Sequence, residues 1–155
     1  MTSSKKTLLW LEDVQKTVEE QINFARKIFS IELVSQLHDF AKILNEKPVK
    51  AIVLDIMLYR VYDLSDLGIK GVDTDMGYEA GWRVLEHYLR APDSKFKDIP
   101  VLVLSVRAKR EKDQELVDRL NKEGGAKIEF IEKREKSGGN KNFQGWIEKV
   151  NRGVQ

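Results

Sequence analysis

Apolar residues in this chain alternate between short continuous runs and stretches spaced for one face of a helix. The runs are Leu8-Leu9-Trp10-Leu11, Ala51-Ile52-Val53-Leu54, Val101-Leu102-Val103-Leu104 and Ile128 to Ile131, with a further strand at about Ser30 to Ser35. Between them Val18, Ile22, Ala25 and Phe29 recur at helical spacing. Leu37, Phe40, Ala41 and Leu44 predict a second helix, stopped by Lys47-Pro48. Val84, Leu85, Tyr88 and Leu89 predict a third from about Glu79, closed by Ala91-Pro92. Leu116, Val117 and Leu120 predict a fourth, with Gly124-Gly125 as its left-handed cap, and Phe143, Trp146, Ile147 and Val150 a fifth. Strands alternating with helices are the signature of βαβ units and a parallel sheet.

Texture also orders the strands. The first, third and fourth runs are continuously apolar, as expected of strands covered on both faces, whereas Ile31-Glu32-Leu33 and Ile128-Glu129-Phe130 alternate, as expected nearer an edge. With right-handed crossovers the order becomes 2-1-3-4-5, an α/β doubly wound five-stranded parallel sheet of flavodoxin-like kind with helices on both faces. Its switch point lies between strands 1 and 3, and ligands of such sheets bind outside the carboxyl ends of the strands. Those ends carry Glu12-Asp13, Asp55, Ser105 and Glu132-Lys133.

Bulk composition narrows the classes. A chain of 155 residues, 41% hydrophobic, is sized for one core, here spanning 5–152 with a long connection at about 58–80. Charged residues make up 34% but balance to +2, so no broad basic face for direct nucleic-acid contact is implied. The lack of cysteine removes disulfides, thiol nucleophiles and cysteine-held metals. The apolar stretch before Glu12 is too short for a secretory core or a bilayer span, so no membrane insertion is expected and a cytoplasmic location is the default.

The ordered set Glu12-Asp13, Asp55, Ser105 and Lys133 resembles the site of two-component response regulator receiver domains, over about the whole chain. In that family an acidic pair ends strand 1, a phosphoaccepting Asp ends strand 3, a Ser or Thr ends strand 4 and a Lys ends strand 5. The resemblance implies that Asp55 accepts a phosphoryl group from a sensor histidine kinase or a histidine phosphotransfer protein. Mg2+ or Mn2+ would be held by Asp13, Asp55 and the backbone carbonyl of Met57, with Glu12 acting through water. Lys133 would pair with the phosphoryl oxygens, and Ser105 would swing toward them together with Phe130, the aromatic residue three before the Lys. The switch would then be read by a downstream protein on the face of helix 4, strand 5 and helix 5. It implies a signalling phosphoacceptor rather than an enzyme beyond self-phosphorylation and self-dephosphorylation, and, with the fifth helix closing the sequence, no output domain.

The chain departs from the family pattern at Glu12, where Asp is commoner, at Val106, and at Arg134, where a cis-proline is usual. Glu135 to Asn142 is also charged, glycine-rich and longer than usual. Glu12, Val106 and the missing proline at Arg134 suggest an alternative, a pseudo-receiver that acts as a phosphorylation-independent interaction module. A phosphatase or nucleotide-binding enzyme ranks last, because no glycine-rich loop follows strand 1 and no second Asp stands two residues after Asp55. In the connection between Leu58 and Ala80 the Gly best matched to the family's Asp-Gly turn is Gly81. Either its aspartates are solvated and the loop is mobile, or Tyr59, Tyr62, Leu64, Leu67 and Ile69 fold over the site. Asp73-Thr74-Asp75-Met76-Gly77 lacks the further acids of a calcium loop. His38 and His87 read as structural or surface residues, Trp10, Trp82 and Trp146 as core or interface anchors, and Arg107 to Lys112 as a solvated helix start, with Arg107 placed to influence phosphate lifetime.

Overall fold

The computed structural model describes residues 5–133 and 139–153. Strands β1 (Thr7–Leu11), β2 (Ser30–Val34), β3 (Ala51–Leu54), β4 (Val101–Ser105) and β5 (Ile128–Glu132) alternate with helices α1 (Glu19–Arg26), α2 (Leu37–Glu46), α3 (Ala80–Val84), α4 (Glu111–Glu123) and α5 (Gly139–Asn151). All strand pairs are parallel, in the order β2-β1-β3-β4-β5. The central strands are buried at every position from Leu8 to Leu11, in β3 and in β4, whereas β2 is half-exposed along most of its length.

Side chains alternate across a strand, so a continuous apolar run feeds two cores. Leu8, Trp10, Ala51, Val53, Leu102 and Leu104 face α1 and α5, where they meet Ile22, Phe29, Phe143 and Trp146. Leu9, Leu11, Ile52, Leu54, Val101 and Val103 face α2, α3 and α4, where they meet Phe40, Trp82, Leu85 and Leu120. All three tryptophans are core residues, while His38 and His87 are exposed. No described helix is long and apolar enough to cross a membrane.

Three local features refine the reading of the sequence. The third helix widens into a π-helical turn at Leu85–Leu89, which brings Arg90 inward. The Arg90 guanidinium is buried and donates to the carbonyls of Leu89 and Phe96 at 3.2 Å, of Ile99 at 2.6 Å and of Ala126 at 3.0 Å, tying the end of that helix to the start of β5. Gly124 ends α4 at φ 109, ψ −174, which is not the left-handed helical cap that the sequence predicts but an extended region open essentially to glycine alone. Finally, Gly139 to Asn142 already belong to α5, so that part of the long connection is helical. The Lys133–Arg134 peptide and residues 134–138 lie outside the described residues.

The connection after β3 keeps Asp63, Asp66, Asp73 and Asp75 in solvent while its aliphatic residues pack on the core. Leu58 and Leu64 are fully buried, and Val61, Leu67, Ile69 and Val72 pack partly against the α2–α3 core around a short 3-10 turn at Ser65–Leu67. The buried Thr74 hydroxyl lies 2.5 Å from the Val61 carbonyl, to which it donates, and accepts from the Gly77 N–H at 3.1 Å. The Leu58 N–H in turn donates to the Gly77 carbonyl at 2.9 Å. Of the residues read as a cover, the aliphatic ones enter or flank the core, but Tyr59 and Tyr62 stay in solvent and do not shield the site.

Candidate functional site

Backbone register brings the strand ends together. Leu11 pairs with Leu54, and the Asp55 N–H donates to the Leu11 carbonyl at 3.0 Å, so the residues that follow β1 and β3 share the switch point. Ser105 pairs with Glu132, and the Lys133 N–H donates to the Ser105 carbonyl at 2.7 Å, setting the last two strand ends side by side. Gly81 closes the site from α3. A Cβ there would lie 2.0 Å from the Asp55 carbonyl oxygen, so only glycine lets the helix approach that closely.

Glu12, Asp55, Ser105 and Lys133 are all buried at this edge. The Lys133 ammonium lies 2.5 Å from Glu12 Oε1 and 3.6 Å from Asp55 Oδ2, and donates to the Thr17 hydroxyl at 3.3 Å. Its contact with Glu12 is an ion pair off the hydrogen-bond directions, for Glu12 Oε1 accepts no aligned hydrogen bond, and Asp55 Oδ1 has no donor either. Burial pushes the Asp55 carboxyl up to about 8, the neighbouring Glu12 carboxyl adds to the rise, and Lys133 and the Ile56 backbone N–H oppose it. The Ser105 hydroxyl accepts from the Arg107 N–H at 3.1 Å.

Asp13 stands apart. It is half-buried, and its Oδ2 accepts from the Tyr59 N–H at 2.9 Å. Among the described residues no three acidic or histidine side chains are gathered as for a metal ion. Glu12 and Asp55, each with a buried oxygen that lacks a hydrogen-bond donor, nonetheless form an all-oxygen pair of the kind a hard divalent cation takes. Met57, two positions after Asp55, is half-buried, and Phe130 lies stacked on Trp82 with ring centroids 6.1 Å apart and planes at 10°.

The run Arg107 to Lys112 is a largely solvated helix start, with Ala108, Lys109, Glu111 and Lys112 exposed, but Arg107 and Arg110 turn into a charged network beside the site. Arg107 reaches both oxygens of Glu79, at 3.2 and 3.3 Å, while Arg110 reaches Glu79 at 2.8 Å and Asp113 at 2.9 Å. Glu79 and Asp113 are buried, and although burial alone would raise their pKa values, the two guanidiniums hold both carboxyls below the usual range. The network joins the end of the β3–α3 connection to the loop that follows Ser105. The Asp113 carboxylate also accepts from the Arg110 N–H at the start of α4 at 2.9 Å, but nothing local in the sequence pairs Arg107 with a residue on another element.

No family model matches the chain, and no curated protein matches it. Solved structures do. The signal receiver domain of a signal transduction histidine kinase from Syntrophus aciditrophicus superposes with TM-score 0.57 at 18% identity, covering 97% of this chain and 92% of that one. The N-terminal receiver domain of a Bacteroides fragilis two-component response regulator gives TM-score 0.56 at 16% identity, covering 96% and 98%. A Francisella response regulator receiver domain gives 0.56 at 12%, covering 97% and 99%. The chain has the receiver fold. The strand order, the two helical layers and the position of the Asp55 edge at the switch point are those the fold requires.

Proposed function

We propose that the chain is a phosphoacceptor receiver of a two-component or phosphorelay system. The observation that carries this reading is Asp55, a buried carboxylate with a free oxygen, facing Lys133 and flanked by Glu12 and Ser105 at the switch point of a receiver fold. An Asp55 carboxylate oxygen attacks the phosphorus of a phosphohistidine on a sensor kinase or phosphotransfer protein. The P–N bond breaks, its electron pair returns to the imidazole, and an aspartyl-phosphate remains. Lys133, already 3.6 Å from Asp55, meets the phosphoryl oxygens, and Ser105 exchanges its bond from the Arg107 N–H for one to the phosphoryl group. Phe130 and its stacking partner Trp82 carry that movement toward α4, where a partner protein reads it.

Mg2+ or Mn2+ would be held by Asp55 and the Met57 carbonyl, with Glu12 and Asp13 completing an oxygen set once Asp13 leaves the Tyr59 N–H. When bound, the cation supplies the positive charge that keeps Asp55 ionised and offsets charge on the transferring group. The competing pseudo-receiver reading is favoured by one observation, the engagement of Asp13 by the loop backbone. Titration with beryllofluoride and Mg2+ under tryptophan fluorescence and amide NMR separates the two. Saturable changes at Asp55, Ser105 and Trp82 support the phosphoacceptor, and an unchanged spectrum leaves the interaction module.

A further inference from the structure

Large apolar side chains left in solvent are not scattered over this molecule. Among the described residues Val14, Tyr59, Tyr62, Met76, Tyr78 and Val106 are the exposed ones, and all lie on loops at the carboxyl end of the sheet. Four of them, each more than half exposed, belong to the β3–α3 connection and line a cavity of about 360 Å³ together with Met57 and Arg60. An apolar surface concentrated at one place marks a binding surface, and tyrosine, methionine and arginine are the types that interfaces favour.

Backbone strain points to the same place. The described non-glycine residues with left-handed φ are Arg60 at 63°, Asp75 at 53° and Met76 at 56°, and all three sit on this connection. Such a conformation is unfavourable for a side-chain-bearing residue and persists only where the surroundings over-determine it. Here the surroundings do so: the Leu58–Gly77 and Thr74–Val61 hydrogen bonds lace the two limbs together, and a Cβ at Gly77 would lie 2.3 Å from the Leu58 carbonyl oxygen. The scaffold therefore holds Met76 in solvent, 72% exposed, on a strained backbone.

Charge selects the occupant. On the same connection the exposed Asp63 directly follows Tyr62, the exposed Asp75 directly precedes Met76, and Asp66 and Asp73 are exposed further along it; none of the four is in an ion pair among the described residues, against Arg60, the charged residue that lines the groove, and Lys70. Two copies meeting face to face would set these aspartates against one another, and an anionic polymer would be repelled. We propose that the Tyr59–Tyr62–Met76–Tyr78 groove docks a basic peptide segment of a partner protein, which inserts a large apolar side chain among the tyrosines while its Lys or Arg residues meet the aspartates. The surface is formed without phosphoryl transfer, so its test does not depend on the Asp55 chemistry.

A displayed library of random twelve-residue peptides is selected on the full chain, with counter-selection on the Tyr62→Ala/Met76→Ala double variant. Both side chains are exposed, and a matched thermal melt shows that the variant is folded. Enriched peptides should carry Lys or Arg flanking Trp, Phe or Leu. A synthetic copy should bind in fluorescence anisotropy at least tenfold more weakly to the double variant and to Asp73→Asn/Asp75→Asn, and more weakly at high salt. Four outcomes would overturn the proposal: no enrichment, selection of acidic or uncharged peptides, affinity unchanged in both variants, or a concentration-dependent dimer that the same substitutions abolish.

Discussion

Replacing Asp55 by Asn should stabilise the metal-free protein and remove part of its pH dependence. The carboxyl is buried, and its pKa rises from 3.8 to about 8 in the folded state, chiefly through burial and secondarily through Glu12. The folded protein therefore binds more protons than the unfolded chain between these values, so this group makes stability fall as pH rises from about 4 to about 8. At about 1.4 kcal/mol per unit the shift sets a ceiling near 6 kcal/mol. Water entry and relaxation of Glu12 and Lys133 around the ionised group bring the expected gain for Asp55→Asn to about 2 or 3 kcal/mol at pH 8. For a chain of this size that is a rise of about 5 to 10 °C in melting temperature. Melts from pH 5 to 8.5 in EDTA check it, and the advantage of the variant should shrink toward pH 5, where wild-type Asp55 is protonated in the fold. Equal melting temperatures at pH 8, or an advantage independent of pH, would refute the buried-carboxylate argument. Mg2+ at ten times its dissociation constant should raise the wild-type midpoint through about 1.4 kcal/mol of linkage and leave Asp55→Asn nearly unmoved.

Other sites give independent checks. Arg90→Met should cost about 3 kcal/mol in urea unfolding, because four carbonyls lose a charged donor. Glu79→Gln should cost about 1 to 3 kcal/mol at pH 7 by leaving Arg107 and Arg110 under-compensated, and the penalty should fade as pH drops through the lowered Glu79 pKa, where the wild-type carboxyl protonates as well. Gly81→Ala should destabilise by about 1 to 3 kcal/mol, since its Cβ must displace the Asp55 backbone, and amide NMR should show the largest shifts at Asp55 and Ile56.

Much of the architecture was legible because continuous and alternating apolar runs report how many faces of a strand are covered. Leu8 to Leu11 could be placed centrally from that texture alone, and its residues do divide between two cores. The strand ends followed from the topology, which is why Glu12, Asp55, Ser105 and Lys133 meet. What the residue types do not encode is which carboxylate turns inward. Glu12 is fully buried against Lys133, and Asp13 turns to the Tyr59 N–H, a distinction that depends on where a long connection returns. The connection itself defeated periodicity, because Leu58, Leu64 and Thr74 are buried at irregular intervals on a path with little regular structure. The Glu79–Arg107 pair was invisible for a related reason: its members lie 28 positions apart on two loops that only the fold brings together.

The central claim is that Asp55 takes a phosphoryl group. Intact-mass measurement after incubation with Mg2+ and acetyl phosphate or phosphoramidate tests it most directly. The account predicts a gain of one phosphoryl group that is lost in EDTA and in Asp55→Asn. No gain in the wild type, or an adduct that persists in Asp55→Asn, would contradict it.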